Sequence, residues 1–165
     1  MANQHADLIE HYARGGEKLS LAIRGLTRDD MLQNPPADKP ELGKWTIQQV
    51  VCHLQDSELV YTDRMKRMIA EPNPTLLAYD ENLWVKNLNY GDQSPEDAVA
   101  LVEISRRQLG RILSKLPNDA FARTGNHTET GRKSLLDLIA GANKHLDHHL
   151  KFIHAKRAAM GKEMW

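Results

Sequence analysis

His145 and His149 stand four residues apart in SLLDLIAGANKHLDHHLKFIHAK, residues 134–156, and both fall on the stripe of Leu135, Leu138, Ile139, Ala142, Leu146, Phe152 and Ile153. Spacings of three and four recur along that stripe, the period of an amphipathic helix. Residues four apart lie one turn above one another, so the two imidazoles project from one side as a two-nitrogen claw. His53 offers a third nitrogen, on the apolar stripe Ile47, Val50, Val51, Leu54, Tyr61, Met65 and Met68 of a second helical pattern. If the two helices are neighbours, three neutral imidazoles with one position left for water describe a catalytic transition-metal site better than a structural one, whose coordination shell is closed. Zinc is the first choice of metal and nickel the second, since imidazole suits both. The competing reading makes these histidines hydrogen-bonded core residues, and spacing alone leaves both readings open.

The other candidates near these positions sort by direction. His148 is turned about 100° from His149 on the helical wheel and His154 about 140°, so both read as surface or rim residues. Cys52 and Glu58 point away from His53, while Gln49 and Asp56, one turn either side, reach its neighbourhood. His5 and His11 read as surface residues. Gly141, one turn before His145, either opens an approach to the site or permits close helix packing.

The elements that must carry these residues are all helical. A first helix is expected over residues 2–25, with a bend or break at Gly15–Gly16, since each glycine costs about 1 kcal/mol against alanine. Residues 27–44 contain NPPADKPELGK and read as a connecting loop. Thr46-Ile-Gln-Gln49 is a capping box that starts the second helix, which ends near Glu71-Pro72. The long connection 71–93 is expected to carry a short helix around Leu83, Trp84 and Leu88. Ser94-Pro95-Glu96-Asp97 starts the third helix, running to about Leu116. TGNHTETGRK reads as a polar loop, and Ser134 with Asp137 caps the fourth helix. The economical architecture is a single all-α domain over residues 1–165, a four-helix bundle with long connections.

Composition narrows the function classes. The 165 residues carry 22 Lys plus Arg against 22 Asp plus Glu, so no broad field gathers nucleic acid or an anionic membrane. The basic groups Arg64, Lys66, Arg67 and Arg106, Arg107, Arg111 are interleaved with acids and read as solvated helix exteriors. One cysteine excludes an intramolecular disulfide and a thiolate cluster, and a reducing cytoplasm is the expected home. No basic-then-apolar leader opens the sequence, and no window approaches the ~20 apolar residues of a bilayer span. A ferritin-like di-iron site needs Glu-x-x-His on two helices, and no glutamate here is followed by that spacing.

Three blocks in order, GKWTIQQVVCHLQDSE, PTLLAYDENLW and HLDHHLKFI, resemble the DinB-like superfamily and in particular its YfiT-type branch of metal-dependent hydrolases and thiol transferases. The resemblance covers about residues 43–153. It implies a four-helix bundle, often a homodimer, with a divalent zinc or nickel held by His53, His145 and His149. It implies a small-molecule substrate and either water or a low-molecular-weight thiol, such as bacillithiol or mycothiol, as the activated nucleophile. Either nucleophile becomes reactive when an open metal site lowers its pKa. Hydrolysis further needs a proton acceptor and donor near the metal, for which Asp56, Asp80, Glu81 and His127 are the candidate catalytic residues. The alternative function is a non-catalytic bundle in which a structural metal or core histidines pin the helices together.

Overall fold

The computed structural model describes residues 4–164. Within them the expected first helix is two, α1 (Ala6–Ala13) and α2 (Gly15–Ile23), meeting at Arg14; the start expected at residue 2 lies outside the described residues. The glycines at the junction serve close packing. A Cβ on Gly15 would stand 2.2 Å from Arg106 Nη1, and one on Gly16 2.5 Å from the Cα of Glu103.

Residues 27–44 are not a plain loop. Thr27 and Asp30 form a capping box that starts the five-residue α3 (Arg28–Leu32), and a 3-10 turn follows at Pro40–Leu42. The prolines forbid a long helix but leave room for one short helix begun by a threonine cap. α4 (Ile47–Ala70) starts as its sequence predicts. Gln49 N–H donates to Thr46 Oγ1 at 3.1 Å, and Thr46 N–H donates to Gln49 Oε1 at 2.9 Å.

The connection after α4 holds β1 (Thr75–Leu76) and then α5 (Glu81–Asn87). α6 (Pro95–Leu113) begins at Ser94, whose Oγ accepts from Asp97 N–H at 3.1 Å. TGNHTETGRK, expected as a loop, contains most of an antiparallel hairpin, β2 (Thr124–His127) with β3 (Gly131–Ser134), and β1 pairs parallel to β2. The hairpin has no alternating apolar face to announce it. Backbone pairing, a turn at Gly131 with φ +72°, and Gly125 lying where a Cβ would meet the Pro74 carbonyl at 2.8 Å account for it. β3 runs straight into α7 (Leu135–Ala159), which Ser134 and Asp137 cap reciprocally.

The α1–α2 pair, α4, α6 and α7 make the four-helix bundle. α4 and the α1–α2 pair each pack on α6 and α7, so they occupy opposite corners and α4 adjoins α7. Two apolar clusters fill the interior. One joins Leu19, Ile47, Val51, Val102, Leu146 and Ile153; the other joins Tyr12, Met65, Leu109, Phe121, Leu135 and Ile139. Between them, on α4 and α6, lie Glu58 and Arg106, 2% and 3% exposed. Arg106 was expected on a solvated face and is instead a core residue because Glu58 pairs with it, Nε to Oε2 at 2.7 Å. Arg64 is likewise buried, donating to the Leu77 carbonyl. Lys66, Arg67, Arg107 and Arg111 are exposed. Among the described residues no helix is long and apolar enough to cross a membrane.

Candidate metal centre

Because α4 adjoins α7, the claw on one meets the single histidine on the other. The rings of His53, His145 and His149 have centroids 4.6–5.0 Å apart. One ring nitrogen from each lies within 4.8 Å of the others, and His53 Nε2 is 3.1 Å from His145 Nε2. His53 is fully buried and His149 nearly so, while His145 is half-buried.

Burial dominates the electrostatics of the cluster. It pushes the His53 imidazole down to about 3, helped by His145. It pushes His145 down to about 4, helped by Arg106 and His148, and His149 to about 3, helped by its two partners. All three rings are therefore neutral at pH 7, the form in which imidazole binds a metal. His149 has no hydrogen-bond partner among the described residues, and the Nδ1 atoms of His53 and His149 are buried without one. A histidine kept in a core for its packing is normally hydrogen-bonded. Three converging neutral imidazoles, each offering one nitrogen within 4.8 Å of the others, fit a divalent metal ion.

The surroundings come from three elements. Trp45, just before the α4 cap, lies 4.8 Å from the His53 ring and stacks parallel to His149 at 6.1 Å. Ser57, one turn after His53, has its Oγ 3.5 Å from His53 Nε2 and 2.5 Å from Tyr79 Oη. Glu81, at the first turn of α5, brings Oε2 to 3.7 Å from His53 Nε2. That contact is not an ion pair, since His53 is neutral. Gly141 makes room for Tyr61: a Cβ there would lie 3.3 Å from Tyr61 Oη, and the Tyr61 ring is 6.1 Å from that of His145.

Of the four candidate acid–base residues, Glu81 is the one in contact with the cluster. Asp56 accepts a hydrogen bond from Tyr90 Oη at 2.5 Å. Asp80 caps α5, its Oδ1 accepting from the amides of Asn82 and Leu83 at 2.9 and 3.0 Å. His127 Nδ1 accepts from the Glu129 and Thr130 amides inside the hairpin turn. His148 and His154 are exposed, as their directions predict. Cys52 points at the Tyr90 carbonyl, and burial pushes its thiol up to about 12, far from the thiolate that ligation requires. Sequence reasoning missed Trp45, Ser57 and Tyr79. Ser57 had a readable signal, four residues after His53, and Trp45 stands just before the cap of the helix that bears it; Tyr79 stands in the block PTLLAYDENLW, but nothing local turns it toward the histidines, because its position depends on the pairing of β1 with β2.

The sequence profile of the DinB superfamily matches residues 11–153. The "Putative metal-dependent hydrolase YfiT" of Bacillus subtilis is 30% identical over 145 residues, 87% of this chain and 79% of that protein. The "Putative metal-dependent hydrolase OB0782" of Oceanobacillus iheyensis is 33% identical over 111 residues, 67% of this chain and 64% of that one, so the alignment spans less than two thirds of this relative's length. The solved structure of Bacillus subtilis YfiT, described as a probable metal-dependent hydrolase with an unusual four-helix bundle topology, superposes with a TM-score of 0.85 at 27% identity, over 98% of this chain and 90% of that one.

Proposed function

Since this chain belongs to the DinB superfamily, we propose that it is a metal-dependent enzyme in which His53, His145 and His149 hold one divalent ion, zinc or nickel. The substrate is a small electrophile attacked by water, with a low-molecular-weight thiol as the alternative nucleophile. The observation that carries this reading is the convergence of three neutral imidazoles, two buried and one half-buried, one of them with no hydrogen-bond partner among the described residues. Histidines that merely fill the core would leave that unpaired polarity unexplained.

When bound, a divalent ion at an open three-histidine site supplies Lewis acidity, lowering the pKa of a water or thiol presented to it. The residues of the chain supply the rest. Glu81 Oε2, beside His53 and half-exposed, takes the proton that the nucleophile releases and returns it to the leaving group or to solvent. Water favours this arrangement more than a thiol does, because water is much the weaker acid and gains more from a carboxylate acceptor. The hydroxyl pair of Ser57 and Tyr79 orients the nucleophile, and Tyr79, its ionisation pushed up by burial, stays protonated as a donor. Trp45, stacked against His149, excludes bulk water from its side of the cluster.

Elemental analysis of the purified chain is expected to give about one metal per chain, and His149→Ala is expected to lose it while keeping its helical circular dichroism. Hydrolysis of a panel of activated esters and amides is expected to stop on chelation and resume on re-addition of metal. Conjugation of an electrophile that depends on added thiol would move the assignment from water to thiol. A chain that takes up no metal from zinc or nickel solutions would overturn the reading.

A further inference from the structure

We propose that the groove beside His149 is a subsite for a carboxylate carried by the substrate, with Lys156 as the cation that recognises it. This rests on reading the histidine cluster as the reaction centre. Lys156 follows His149 by seven residues, two turns along one face of α7 and about 10 Å in helix rise. It is 5% exposed. Its Nζ donates to the Leu42 carbonyl and stands 5.3 Å over the Phe152 ring, and no carboxylate pairs with it among the described residues. Burial pushes the ammonium down to about 8, so it is still charged at neutral pH.

A buried cation without an anion costs stability, and a hydrophobic side chain of similar length would pack there at lower cost. The structure leaves room for the missing anion. A groove of about 220 Å³ runs between Trp45 and Phe152 and is lined also by Asn82, His149 and Lys156. Gly43, at φ +72°, keeps it open: a Cβ there would lie 3.4 Å from Phe152 and 3.9 Å from Lys156 Nζ, in the space before the ammonium. The walls are aromatic, Asn82 offers an amide, and Lys44 adds an exposed positive charge at the rim. One buried ammonium with an amide suits a carboxylate; phosphate dianions are typically held by bidentate arginine or by the amides of a helix N-terminus. The substrate class is therefore a small monoanion with an apolar body, its carboxylate several bonds from the reacting atom.

The test compares 4-phenylbutyrate with its neutral amide by calorimetry on the whole chain, metal-loaded and after chelation, with the Trp45 indole N–H followed by NMR. The acid is expected to bind about tenfold more tightly than the amide in both forms and to shift Trp45. Lys156→Met is expected to fold and to erase that preference. Lys156→Gln, which keeps a donor for the Leu42 carbonyl, is expected to erase it too and replaces the methionine variant should that one not fold. Equal binding of acid and amide overturns the proposal. So does a preference that survives loss of the lysine, and one confined to the metal-loaded protein places the carboxylate on the ion instead. A lysine-dependent preference in the chelated protein upholds the subsite even where metal uptake fails, so the two readings are tested separately.

Discussion

An imidazole in water titrates near pH 6.5, but the three at the centre of this bundle are held at about 3 to 4 by burial first and then by neighbouring imidazoles and, at His145, by Arg106. Between those limits the unfolded chain binds protons that the folded chain refuses. The sign follows directly: stability is present above pH 6.5 and lost as pH falls toward 4, by up to about 1.4 kcal/mol per pH unit for each histidine. Thermal melts of the chelated protein are therefore expected to drop between pH 7.5 and 5, and His53→Leu is expected to flatten that dependence. Glu81 is a different case, being half-exposed and touching the cluster from α5. Glu81→Gln is expected to leave metal content and melting temperature unchanged while lowering kcat by about 10²-fold or more, measured on whichever substrate the panel identifies.

The elements that position these residues are specified at their ends. α4 and α7 both begin at a reciprocal cap, so His53 and the His145–His149 pair are counted off from a fixed start. β3 leads into Ser134, and β1 pairs with β2, so the small sheet ties the connection bearing Tyr79 and Glu81 to the start of the helix bearing the claw. Thr128 reinforces that tie, its Oγ1 accepting from the Ala78 amide at 2.9 Å. At the α1–α2 bend the constraint is steric. Gly16→Ala is expected to destabilise by about 1–3 kcal/mol, because its Cβ would meet the backbone of Glu103 rather than a movable side-chain tip. Urea unfolding monitored by circular dichroism measures that cost. A propensity argument alone predicts the opposite sign, since alanine is the better helix former.

Across the whole molecule, a polar layer divides the apolar interior. Glu58 accepts from Tyr12 Oη and from Arg106 Nε, and Arg106 Nη2 donates to the Ala142 carbonyl, one turn before Leu146 on α7. All four corners of the bundle are joined at one level, and the guanidinium lies 4.7 Å over the Tyr12 ring. Arg106→Ala leaves Glu58 buried and unpaired, and is expected to cost about 3–5 kcal/mol in equilibrium unfolding at pH 7. Joint replacement, Arg106→Met with Glu58→Leu, is expected to recover most of that loss. The layer also matters to the site, since Arg106 is among the charges that keep His145 neutral.

The helices, their caps, the four-helix bundle and the candidacy of His53, His145 and His149 were legible in the sequence. Each rests on spacing within one segment, and helical period fixes direction without reference to the rest of the chain. The short α3 and the β2–β3 hairpin were not, because neither carries an apolar period. The burial of Arg64 and Arg106 was not either: a charge is driven inside by a partner, and Glu58 lies 48 positions away from Arg106 on another helix. The same reason separates Glu81 from Asp56, Asp80 and His127. All four are titratable residues in polar stretches, and only the packing of α5 against α4 decides which carboxylate faces the imidazoles. Local pattern determined what each helix presents; the tertiary structure alone decided what meets it, because contacts between distant segments have no period to read.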